Sequence, residues 1–156
     1  MTWLALLFAL VPPAVQSAIQ AKYPGWVSAP VAPQISDWFR EGHFQHEPNA
    51  IKADLDHDGA DDYAVLLRQG EHQVLVVLLA RGNRWETREL SIDQADPFTY
   101  LLLNEKGSRD FDFKTLRHFR HKRNSLVLVF FDKRPLVFVW SKSSFQKNVE
   151  LNDEDE

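Results

Sequence analysis

The chain has 156 residues, 44% of them hydrophobic, a formal net charge of −4 and no cysteine. That length and apolar content suffice for one domain with its own core. Net negative charge gives no general signature of a nucleic-acid binder, and the missing cysteine excludes disulfides, thiolate metal sites, cysteine nucleophiles and lipoprotein anchoring.

Residues 3–11 form an apolar run at the N-terminus. It is too short to span a membrane and is sized for the central region of a signal peptide. Val15 and Ser17 would allow a cut before Ala18. A competing reading starts a helix at Pro13, with Val15, Ile19 and Tyr23 on one face and Pro24-Gly25 as its stop. That helix in the mature fold moves the cut to near Ala9. The expectation is export to the periplasm or cell exterior, with residues 1–12 as the signal peptide and no stable membrane span after processing.

Residues 13–23 are the one helix expected. Pro24-Gly25, Pro30 and Pro33 then predict an irregular connection. Residues 34–50 carry Trp38, Phe39 and Phe44, which suit packing on the core, with a short strand or turn around 36–40.

Residues 54–62, Asp-Leu-Asp-His-Asp-Gly-Ala-Asp-Asp, hold five carboxylates around one glycine. Like charges about 6 Å apart repel by roughly 0.7 kcal/mol per pair even in water, so the crowding gains from a cation. Calcium loops take side-chain oxygens from positions 1, 3 and 5, a backbone carbonyl from 7 and another ligand at 9, with glycine at 6 for the turn. Those positions are Asp54, Asp56, Asp58, the Ala60 carbonyl and Asp62, with Gly59 sixth. Asp61 falls between ligand positions and suits a turn-capping or supporting role. An EF-hand has a bidentate Glu at position 12, where this chain has Val65 inside the β-prone run Tyr63-Ala-Val-Leu-Leu67. The loop is thus expected to lead into a strand. The bland alternative is a solvated acidic turn, since Asp and Gly are common turn residues.

This pattern, D-x-D-x-D-G-x-x-D followed by a short apolar strand, resembles the calcium loops of integrin-type β-propeller repeats, the FG-GAP or VCBS repeats, over about residues 51–80. The resemblance implies Ca²⁺ ligands at Asp54, Asp56, Asp58, Ala60 and Asp62. It does not imply a propeller, because blades need several repeats and the loop occurs once in this chain.

From residue 62 onward the pattern is β. Strands are expected at Tyr63–Arg68, Gln73–Ala80, Trp85–Leu90 and Phe98–Leu103, with a tight turn at Arg81-Gly-Asn-Arg84. Residues 104–110 read as a loop and Lys114–Phe119 as an edge strand. Ser125–Phe131, Leu136–Ser141 and Phe145–Glu150 complete a meander, and residues 151–156 read as a disordered acidic tail. The order of Tyr63–Leu67, Val76–Trp85 and Leu126–Phe145 is similar to that in small exported bacterial proteins with a single loop of this kind and no assigned activity. That similarity implies fold and export only.

Other constellations carry less. His43 and His46 are three apart, as are His118 and His121, but in extended segments such pairs face opposite ways. Arg117–Arg123 holds four cations with one aromatic residue, and a solvated turn explains it more simply than phosphate, lipid or nucleic acid. No nucleophile elbow or phosphate-cradling glycine loop is visible. The reading is a single α+β domain over 13–150: an N-terminal helix packed on a predominantly antiparallel, twisted sheet. Its expected property is non-catalytic Ca²⁺ binding that orders the loop. The alternatives are a metal-dependent hydrolase using the same loop, and an inhibitor or adhesion module that binds an unidentified protein partner.

Overall fold

The computed structural model describes residues 11–147; the apolar run before Val11 and the acidic tail lie outside them. Among the described residues are two helices and eleven strands, and every strand pairing is antiparallel. The fold is therefore dominated by sheet.

Helix α1 (Pro13–Lys22) begins at a proline whose missing N–H costs nothing in the first turn. It buries Val15 and Ile19, one turn apart on one face, and Gly25, at φ 81°, turns the chain after it. A two-residue strand β1 (Val27–Ser28) follows, then helix α2 (Pro33–Glu41). This helix corrects the expected strand or turn at 36–40. Pro33 opens the helix at its first position, and Ile35, Trp38 and Phe39 share a face. Phe39 and Trp38 then join an aromatic cluster with Phe44 and Tyr100.

The first sheet is built on β3 (Asp62–Gln69), β4 (His72–Arg81) and β5 (Arg84–Gln94), in that spatial order. On the free side of β3, β1 pairs with its far end, and β2 (Ala50–Ala53) pairs with its near end. β4 and β5 meet at the expected Arg81–Arg84 turn, and a bulge at Leu75/Val76 shifts their register. Trp85 packs on one core and Leu90, beside the bulge, on the other.

A second sheet runs β11 (Ser144–Lys147), β10 (Leu136–Ser141), β9 (Ser125–Val129), β6 (Tyr100–Asn104). Strands β7 (Arg109–Asp112) and β8 (Arg117–Arg120) form a separate hairpin where a loop and a single edge strand were expected. The expected single sheet is thus divided among three, while the expected meander of the last three strands is kept as β9, β10 and β11. The odd residues of β3 and even residues of β4 (Tyr63, Val65, Leu67, Val74, Val76, Leu78) pack with Val11, Val15, Ile19 and Tyr23. The opposite set (Ala64, Leu66, Leu75, Val77, Leu79) packs with Leu101, Leu126, Leu128 and Phe138 from the second sheet and with Phe130 just after β9. β3 and β4 are covered on both faces, which is why they read as continuous apolar runs.

Ile19→Ala removes a fully buried side chain under the first sheet. The expected loss in urea unfolding is about 2–4 kcal/mol, whereas exposed Ser17→Ala on the same helix leaves the midpoint nearly unchanged.

Candidate metal centre

The acidic segment is the loop of a β-hairpin: β2 and β3 flank it, and Ala53 pairs with Asp62 across its base. Its shape follows from three devices. Leu55 points inward and is 1% exposed, pinning the loop to the core between the sheets. His57 and Gly59 take the left-handed conformation at φ 63° and 90°, which turns the chain twice within three residues. Aspartate side chains then accept from the loop's own N–H groups: Asp54 from Asp58 and Gly59 at 3.2 and 3.1 Å, and Asp58 from Ala60 at 2.8 Å.

Three of the five expected ligand positions converge. Carboxylate oxygens of Asp54, Asp56 and Asp58 all lie within 4.8 Å of one another, the only such acidic or histidine group among the described residues. Ala60 sits in the same turn, its N–H given to Asp58 Oδ1. Asp62 is not in that group. Its carboxylate is fully buried, with Oδ2 accepting from the N–H of Leu55 at 2.8 Å and of Asp56 at 3.4 Å, and Oδ1 from that of Ala80 at 2.9 Å. It ties the loop to β3 and β4 at once. Asp61 is exposed and pairs with Lys52 at 3.2 Å, a solvent-screened surface pair that adds little stability.

Two residues that shape the site were not expected from the sequence. Arg81, at the end of β4, donates from Nη1 to Asp56 Oδ2 at 2.7 Å and to Asp58 Oδ2 at 3.3 Å, and from Nε to Glu86 at 3.0 Å. The chain therefore brings its own cation to two of the three carboxylates. Its signal was the tight turn after Gln69: counting back from it in antiparallel register sets Arg81 beside the loop. Asn124 donates to the Asp54 carbonyl and accepts from the Lys106 N–H, both at 2.8 Å, so it joins the loop to the turn after β6. No local pattern announces that residue, because the contact crosses 70 positions.

The histidines do not assemble a second centre. His43, His46 and His121 line a separate cleft with Glu105 and Asp110. There His121 Nε2 engages Asp110 at 3.0 Å, and His46 Nδ1 engages the Glu47 carbonyl at 2.8 Å. Burial holds the His46 imidazole below its usual range.

Nothing lies within 4 Å of where a Gly59 Cβ would stand, so Gly59→Ala costs backbone strain alone. The expected destabilisation is about 1–2 kcal/mol, read from urea midpoints. Burial pushes the Asp62 carboxyl from 3.8 up to about 6, with Asp56 adding to the rise and the backbone N–H groups opposing it. The folded state then binds the proton more tightly than the unfolded chain. This contribution is fully present below a pH of about 4 and is lost as pH rises through about 6. In calcium-free buffer, the parent should lose stability relative to Asp62→Asn as pH rises across that window; a parent that gains relative to the variant contradicts the assignment.

No family model, curated protein or solved structure matches this chain.

Proposed function

We propose that the protein binds Ca²⁺ in the 54–62 loop and that the ion has a structural, non-catalytic role. The observation that carries this reading is the convergence of Asp54, Asp56 and Asp58 within 4.8 Å, with Arg81 as the cation that meets two of them. A hard divalent ion takes six to eight oxygens at about 2.3–2.6 Å. The proposed first ligands are these three carboxylates and the Ala60 carbonyl. Asp62 joins the set only by exchanging backbone N–H groups for the ion.

Arg81 acts as the ion's stand-in. In the ion-free state it neutralises Asp56; with Ca²⁺ bound, its remaining partner is Glu86. Loops of this kind in extracellular modules commonly fill at millimolar Ca²⁺, which fits an exported protein. Export rests on the apolar run at 3–11. Since α1 places Val15 and Ile19 in the core, a cut near Ala9 preserves the helix and one before Ala18 divides it. A second reading, docking onto a protein partner, is favoured by Phe113 and Leu116, which stand 83% and 72% exposed in the turn between β7 and β8.

Calorimetric titration of Ca²⁺ and Mg²⁺ tests the metal reading. Ca²⁺ is expected to bind in the millimolar range or tighter, and Asp56→Ala to weaken it by at least about tenfold. Arg81→Gln removes the internal competitor and should strengthen Ca²⁺ binding while lowering the melting temperature of the ion-free protein. Absence of heat at millimolar Ca²⁺ contradicts the site. Binding with an unmoved melting temperature contradicts the structural role.

A further inference from the structure

A cleft of about 420 Å³ opens beside the acidic loop, lined by Asp56, His57, Lys106, Lys122, Arg123, Trp140, Ser141 and Lys142. Its volume lies within the roughly 300–1,000 Å³ range of small-molecule sites. Four separate parts of the chain supply its walls: the 54–62 loop, the turn after β6, the segment before β9, and the end of β10 with its turn into β11. The cations are Lys106, Lys122, Arg123 and Lys142, whereas the one carboxylate, Asp56, is already paired with Arg81 at 2.7 Å. Leaving Lys122 aside, Lys106, Arg123 and Lys142 keep the cleft positive without any bound metal.

Several features hold these cations in place. Arg123 donates from Nη1 to the Trp140 carbonyl at 2.9 Å, fixing the guanidinium against the second sheet. Asn124 accepts the Lys106 N–H at 2.8 Å and holds that turn against the acidic loop. Lys142 occupies the left-handed region at φ 51°, as does Ser143 at φ 68°, in a two-residue turn where Asn-Gly would sit without strain. His57, on the opposite wall, is also left-handed. Two of the cleft's lining residues are therefore held in a costly backbone conformation, as occurs at ligand sites. Among the described residues, neither Lys106 nor Lys142 forms an ion pair. Lys106 and Lys142 share the cavity with the Arg123 guanidinium, and such cations repel each other unless an anion joins them.

We propose that this cleft binds a small phosphate or sulfate ester, its oxyanion held by Lys106, Arg123 and Lys142 and its organic part set against Trp140. Arginine and lysine donors bind tetrahedral oxyanions through charge-assisted hydrogen bonds, and Trp140 supplies the largest aromatic surface of the lining. This inference does not depend on Ca²⁺, since Arg81 already neutralises Asp56 in the ion-free chain.

The test is a titration of glucose 6-phosphate into the full chain in EDTA-containing, low-salt buffer, followed by calorimetry and backbone amide shifts. Inorganic phosphate is titrated separately. The expected result is saturable binding of the ester, weakened by at least about tenfold in Lys106→Ala/Lys142→Ala with an unchanged melting temperature, and weakened by added NaCl. Amide shifts centred on residues 57, 106, 122–123 and 140–142 would place the ligand in the cleft. No saturation by about 10 mM ester, or equal binding by the double variant, overturns the proposal. Inorganic phosphate binding as tightly as the ester also overturns it, since the site would then hold an adventitious ion only. Failure here leaves Ca²⁺ binding untouched, because that is read in a separate titration with a different variant.

Discussion

Burial of β3 and β4 on both faces is the constraint from which the rest of the architecture follows. Side chains from Asp62 to Leu67 and from Gln73 to Leu79 are all buried. A sheet apolar on both faces needs a cover on each side. Helix α1 supplies one cover through Val15 and Ile19, and the second sheet supplies the other through Leu101, Leu126, Leu128 and Phe138. Because the strands are antiparallel and joined by tight turns, the end of β4 necessarily returns to the start of β3. That return brings Arg81 and the Ala80 N–H to the acidic loop.

Asp62 is where the buried sheet and the loop become one structure. A fully buried carboxylate is costly unless hydrogen bonds satisfy it, and here backbone N–H groups of Leu55, Asp56 and Ala80 do so. The same bonds fix the direction in which Asp54, Asp56 and Asp58 leave the loop. With Leu55 anchored in the core, the loop is shaped before any ion arrives, which lowers the ordering cost of binding one. Arg81 opposes this gain, because an arriving cation must displace a guanidinium already paired with Asp56.

The most legible parts of the chain were those whose signal is local. The helix at 13–22 followed from its bounding prolines and one apolar stripe; β4 followed from an uninterrupted apolar run, and the turn at 81–84 from Gly82-Asn83. Asp54, Asp56 and Asp58 were legible because ligand spacing lies within one loop. Helix α2 was missed since Pro30 and Pro33 look like breakers, although Pro33 begins the helix instead of ending it. Division of the strands into separate sheets is decided by contacts between distant segments, as is the Asn124 bridge to Asp54. Asp62 has the right residue type for a ligand, and its oxygens also accept backbone N–H groups of Leu55, Asp56 and Ala80, partners that spacing alone does not reveal. The basic segment 117–123 likewise read as a solvated turn, yet Lys122 and Arg123 join Lys106 and Lys142 around one cleft.

The central claim concerns what neutralises the three converging aspartates, and anomalous diffraction from crystals grown in CaCl₂ addresses it most directly. Calcium binding predicts an anomalous peak about 2.3–2.6 Å from oxygens of Asp54, Asp56 and Asp58, with the Arg81 guanidinium withdrawn from Asp56. A loop with no peak, and with Arg81 still paired to Asp56, would contradict it and leave the guanidinium as the loop's own counter-ion.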